Sequence, residues 1–177
     1  MKKVKKNKYI PTKNYILTIL LIIGIIFLVL YITKWHEVKD NQDLTEHYLI
    51  SSNTISLYID EYNEIDSILT EAPSYFFILL GDTNNKDVYN LEKDIQSTIE
   101  KYDLENNFYL FDITNMKKEE TNYLDKINNK FDLTGKKKIT KIPTILYFEN
   151  NKFINSVDNK EDLNNLIKLF KINQISQ

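Results

Sequence analysis

Two histidines, His36 and His47, stand eleven residues apart with Glu37 and Glu46 beside them. Imidazole and carboxylate together are zinc ligands, but a pair of His shares one helix face at i, i+4, and i, i+11 is not such a spacing. No metal site is expected from them. The carboxylate pairs Glu119-Glu120 and Glu161-Asp162 each fall at or near an expected helix start, where negative charge complements the helix dipole. Nothing sets two carboxylates across a cleft for acid and base work. Gly81 and Gly135 are isolated, so neither a phosphate-cradling loop nor a nucleophile elbow is present. The sequence has no Cys, which removes disulfide exchange, thiolate attack, Cys-ligated metals and Cys lipidation. No catalytic residue and no cofactor is expected, so the chemistry that remains is recognition.

Charge divides the chain. Six of the 23 Lys lie in the first thirteen residues, ahead of the first acid, Glu37, and the chain from Lys34 onward carries 17 Lys against 25 acids. A net charge of about −8 on that part argues against nucleic acid as a partner. Between lies YILTILLIIGIIFLVLYIT, residues 15–33, without a charge. At about 1.5 Å per helical residue it matches the ~30 Å hydrocarbon core of a bilayer. A cleaved signal peptide would have a shorter apolar region ending in small residues. This run instead exits through Tyr31, Lys34 and Trp35 and begins at Tyr15, residues suited to the membrane interface. The expectation is an uncleaved single-pass anchor in the cell membrane, with residues 1–14 a basic cytoplasmic tail and the remainder extracytoplasmic by the positive-inside rule. Residues 34–53 read as a stalk, and residues 54–177 as one domain.

Within that domain the apolar period alternates. Ile55, Leu57 and Ile59 suggest a strand, and Ile65, Ile68 and Leu69 a helix ahead of Pro73. SYFFILL ends at Gly81 and reads as a central strand covered on both faces. Val88, Leu91, Ile95, Ile99 and Tyr102 mark one face of a four-turn helix with Asp87 as its N-cap. FYLF is a further buried strand, and Tyr123, Leu124, Ile127 and Phe131 a further helix. After Gly135 and a Lys-rich turn, residues 144–148 and 152–157 form a hairpin, and Leu163, Leu166, Ile167 and Phe170 a last helix. The order β-α-β-α-β-α-β-β-α predicts an α/β domain, with helix-separated strands running parallel and an antiparallel hairpin at the edge.

This order, together with the segment Ile142-Pro143-Thr144-Ile145-Leu146-Tyr147-Phe148-Glu149-Asn150-Asn151, resembles the thioredoxin fold, whose members carry an I-P-T-x-x-x-F-x-x-G strand after a cis-proline. The resemblance covers residues 54–172 and implies a mixed central sheet flanked by helices. Asn151 stands where the family has Gly, and Asn is the residue that best tolerates φ > 0 in Gly's place. The larger departure is at the C-x-x-C site. The chain has Gly81-Asp82-Thr83-Asn84-Asn85-Lys86-Asp87-Val88. By similarity to thioredoxin-like accessory proteins of Gram-positive bacteriocin systems, Asn85 and Val88 occupy the two cysteine positions.

What this resemblance implies is a non-catalytic, membrane-anchored domain that binds an exported polypeptide or a membrane-protein partner along the cis-proline edge. Its peptide-binding residues would be Asn84, Asn85, Lys86, Val88, Lys141, Ile142 and Pro143. The loop 82–87 reads on its own as a solvated loop with an N-cap. Lys136, Lys137, Lys138 and Lys141 read as a solvated turn. Two other readings stay open: a structural subunit of an envelope complex with this face idle, and a helper that lends its face to a partner's thiols.

Overall fold

The computed structural model describes residues 12–42 and 46–175, with side chains for 14–35 and 46–170. Most of the basic tail, and the side chain of His36, lie outside the described residues. The chain divides after Gln42 into two compact units. The first is helix α1, Thr12–Gln42. Its stretch Asn14–Trp35 has no buried residue and is long and apolar enough to cross a membrane. Thr18 and Thr33 donate their hydroxyls back to the carbonyls of Asn14 and Val29, which removes two polar groups from the helix surface. Tyr31 and Trp35, one turn apart, bring their ring centroids within 6.0 Å.

The second unit holds α2 (Tyr48–Ser51), β1 (Tyr58–Ile59), α3 (Glu64–Glu71), β2 (Tyr75–Gly81), α4 (Lys86–Lys101), β3 (Phe108–Asp112), α5 (Thr114–Glu119), α6 (Tyr123–Lys130), β4 (Thr144–Glu149), β5 (Lys152–Val157) and α7 (Lys160–Ile175). Five strands form one mixed sheet in the order β1-β3-β2-β4-β5. Strand β3 runs parallel to β1 and β2, while β4 is antiparallel to both β2 and β5. The uninterrupted apolar run of β2 alternates between two cores. Phe77 and Leu79 pack with Leu91, Ile95 and Ile167 of α4 and α7. Phe76, Ile78 and Leu80 pack with Ile65 and Ile127 of α3 and α6. Both faces of the central strand are therefore dry, as its composition requires. At the β4–β5 turn Asn150 and Asn151 have φ of 48° and 62°, the positive pair a two-residue hairpin needs.

Four sequence expectations need correcting. The helix-separated strand β4 is not parallel to its neighbour β2. The connection through α5 and α6 returns the chain to the end of the sheet it left, so Thr144 starts opposite Leu80 while Asp112 ends opposite Gly81. The first strand is only two residues long, although Leu57 still accepts a bond from Leu110 N at 2.9 Å. The N-cap of α4 is Asn85, whose Oδ1 accepts the Asp87 N–H at 2.9 Å. Asp87 sits in the first turn, where its charge still suits the dipole. Residues 46–53 are not stalk: Leu49 is 0% exposed and belongs to the core under α4. Six residues with polar groups around Leu49 and Ile50 hid a short docking helix.

Candidate functional site

Three strand ends converge at one edge of the domain, where Gly81 of β2 lies between Asp112 of β3 and Thr144 of β4. The loop that leaves Gly81 is held by its own side chains. Asp82, almost fully buried, accepts from Asn84 N at 2.9 Å and from Lys117 Nζ at 2.6 Å. Burial pushes the Asp82 carboxyl up, but the Lys117 ammonium and the Asn84 N–H outweigh it and hold the group below the usual carboxylate range. Thr83 N donates to Thr114 Oγ1 at 3.0 Å. Asn84 and Lys86 are exposed and Asn85 caps the helix. Val88 is 1% exposed and faces the core, since the face of α4 that carries Leu91 and Ile95 carries it too. It is therefore not available to a partner, and its place among the peptide-binding residues is withdrawn. Of the two cysteine positions one is thus a helix cap and the other a core residue.

On the other flank of β2 the Ile142–Pro143 bond is cis. The buried Asn128 acts as a substitute strand partner for the segment ahead of it, donating to Ile139 O at 2.9 Å and accepting from Ile139 N at 2.7 Å. Thr144 Oγ1 donates to Lys141 O at 2.8 Å, and the Lys141 ammonium pairs with Asp158. Lys138 reaches Asp125 at 3.4 Å. Among the described residues, the main-chain N–H and C=O of Ile142 take no hydrogen bond. The expected residues Asn84, Asn85, Lys141, Ile142 and Pro143 are thus brought to one end of the sheet by β2 and β4.

Sequence reasoning missed the polar centre on the β3 side. His47, just ahead of α2 and 5% exposed, places Nδ1 2.6 Å from Glu92 Oε1 of α4. Glu92 is 0% exposed, and its second oxygen accepts the Leu49 N–H at 3.0 Å. Nε2 lies 3.5 Å from Asp112 Oδ1, an ionic contact without hydrogen-bond alignment. Asp112 also accepts from Tyr58 Oη at 2.8 Å, from Thr114 N at 2.8 Å and from the Thr114 hydroxyl. Burial disfavours the imidazolium, but the two carboxylates overcome it and raise the pKa to about 9. For Asp112, burial works upward and is overcome by His47, Thr114 and Tyr58, so its carboxyl lies below the ordinary range. The Tyr58 hydroxyl is pushed up by burial and by Asp112. With both ring nitrogens facing carboxylates and a proton held at neutral pH, His47 is a charged clasp rather than a base. Gly81 makes room for it, because a Cβ there would meet His47 Cε1 at 2.7 Å.

One signal pointed to this centre. Glu92 stands at i+4 from Val88 and i−3 from Ile95, inside the apolar stripe of α4, where an acid must find a buried partner. Beside the clasp a cleft of about 430 Å³ is lined by Glu46, Tyr58, Thr83, Thr114 and Lys118, among others. Among the described residues no group of three His, Asp or Glu is arranged to hold a metal ion.

Neither a family model nor a curated protein sequence matches the chain. Solved structures that match include mitochondrial thioredoxin 3 of Saccharomyces cerevisiae, at 14% identity and TM-score 0.47, covering 66% of this chain and 95% of that one. Thioredoxin of Plasmodium falciparum matches at 14% identity and TM-score 0.48, covering 65% of this chain and 99% of that one. Thioredoxin f2, in complex with ferredoxin:thioredoxin reductase, matches at 15% and 0.48, covering 67% and 96%. The sheet order, the paired directions and the terminal hairpin make the fold thioredoxin-like, in a chain without cysteine.

Proposed function

We propose that the chain is a membrane-tethered, non-catalytic thioredoxin-like protein that captures an exported polypeptide or a membrane partner outside the cell, as an accessory to bacteriocin or protein export. The observation that carries the reading is the unpaired main chain of Ile142 beside the start of β4. An N–H and a C=O left open next to a sheet end suit the addition of an extended segment, with main-chain bonds giving affinity. The thiol-free Asn84 and Asn85 follow the end of β2 beside which β4 begins and offer side-chain amides in place of a redox pair. The apolar α1 supports tethering, and the Lys-rich first residues support a cytoplasmic N-terminus.

The test is crosslinking in cells from a photoreactive residue at Asn84 or at Lys141, with Lys168 on α7 as a remote position of the same domain. Capture of a polypeptide from the first two positions and not from the third is expected. Equal capture from Lys168 would overturn the placement of the site.

A further inference from the structure

Away from the strand ends discussed above, a second concave site lies where α3, the end of α6 and the β4–β5 hairpin meet. It has a volume of about 370 Å³, at the small end of the range typical of small-molecule sites. Its walls are mixed: Phe131, Leu133 and Phe148 close the bottom but are themselves buried, and the apolar surface open to the cleft comes from the half-buried Leu69 and Phe153 at the sides. The rings are close, with centroids 5.3 Å apart for Phe131 and Phe148 and 5.9 Å for Phe148 and Phe153.

The rim is cationic. Lys130, Lys137 and Lys152 line the cleft, with Asp132 the only acid among its lining residues. Lys130 is fixed by Asp66 at 2.6 Å and lies 4.9 Å from the Tyr62 ring centroid. Lys137 stands 5.8 Å from the centre of the Phe153 ring. Lys152 has no ion pair among the described residues. This charge runs against that of the domain. Residues 130–152 carry six Lys and two acids, whereas residues 46–177 carry fifteen Lys and twenty-two acids. A positive corner on a negative domain attracts anions locally while the rest of the surface repels them. The half-buried Leu69 and Phe153 then select among anions, because covering them with an apolar body is favourable and hydrated inorganic ions have none to offer.

We propose that this cleft binds an anionic amphiphile, a compound with one phosphate or carboxylate head on an aromatic or alkyl body. The body lies between Leu69 and Phe153, and the head is held at the rim by Lys137 and Lys152. The site does not involve Ile142 or the strand ends, so it stands or falls separately from polypeptide capture.

The test uses the full chain in nanodiscs of zwitterionic phosphatidylcholine, with 4-(trifluoromethyl)phenyl phosphate as probe and ¹⁹F NMR as readout. Saturable binding is expected, at least tenfold tighter than for 4-(trifluoromethyl)benzyl alcohol or 4-(trifluoromethyl)benzylamine, and about tenfold weaker in Lys137→Gln/Lys152→Gln. Tyrosine near-UV circular dichroism checks that this variant is folded. If it is not, Lys152→Gln alone serves, with a weakening of about threefold. Equal binding of the three probes, or no loss in a folded variant, would overturn the proposal. So would displacement by inorganic phosphate at the probe's own concentration, or by an acidic peptide more readily than by dodecyl phosphate. A second arm places phosphatidylglycerol in the discs. Loss of probe binding there assigns the occupant to the bilayer, and retention assigns it to a soluble compound; both support the groove.

Discussion

Raising the pH from 6.5 to above 9 is expected to unfasten His47 and with it the first helix of the domain. The imidazole has a pKa of about 9 in the folded chain against an ordinary value of 6.5. Because the folded value is the higher one, the stabilisation is fully present below pH 6.5 and is lost as the pH rises through 9. At about 1.4 kcal/mol per pH unit the difference comes to about 3 kcal/mol. The other perturbed groups lie outside that window: the Asp82 and Asp112 carboxyls are lowered, and the Tyr58 hydroxyl and Lys117 ammonium are raised. Urea unfolding of the full chain in nonionic micelles, followed by tyrosine near-UV circular dichroism, reports chiefly on the domain, which holds nine of the twelve Tyr. With a slope of about 1–3 kcal/mol per M, the midpoint should fall by about 1–3 M between pH 6.5 and 9.5. His47→Gln should be less stable than the parent at pH 6.5 and nearly independent of pH across the window. A flat midpoint in the parent, or the same fall in His47→Gln, would refute the assignment of charge to the His47–Glu92–Asp112 cluster.

Removing the other half of the clasp should be harsher. Glu92→Ala leaves the buried imidazolium and the Leu49 N–H without their acceptor and is expected to lower unfolding stability by about 3–5 kcal/mol by the same urea assay. Gly81→Ala puts a Cβ 2.7 Å from His47 Cε1 and should cost about 1–3 kcal/mol. In a His47→Ala background that cost should largely vanish, and a thermodynamic cycle of the four proteins reads the coupling. Asn85→Ala removes the cap of α4, for a loss of about 0.5–2 kcal/mol and faster hydrogen exchange at Asp87 and Val88.

Much of the scaffold was legible because it is written in local period. The run Phe76 to Leu80 is apolar at every position and became the strand buried on both faces. The i, i+3, i+7 spacing from Val88 became the core face of α4. Asn150 and Asn151 kept the hairpin where a Gly was missing, through the tolerance of Asn for positive φ. The short helix Thr114–Glu119 gave no such sign, since TNMKKE offers one apolar residue in six. The direction of β4 depends on the sheet end to which the connection through this helix returns, which no local pattern records. The clasp was hidden for a different reason. His47 meets a carboxylate 45 residues further on, and a bond of that separation has no local pattern. Only the acid within the apolar stripe of α4 signalled that a buried partner existed somewhere. The surroundings of Ile142 were anticipated through the strand that follows it, whereas the Asn128 bridge that holds Ile139 was not, because an Asn inside NNK looks like any solvated one.

The clasp also determines how the domain takes mechanical load. Chain connectivity carries tension arriving from the N-terminal side into the second unit at His47 and Leu49. There the load spreads at once into α4 through both oxygens of Glu92 and into β3 through Asp112. A pull is thereby shared between a helix and a sheet strand before it reaches the two-residue β1, the weakest element of the sheet. A domain pulled from this end without the clasp would peel from that edge first.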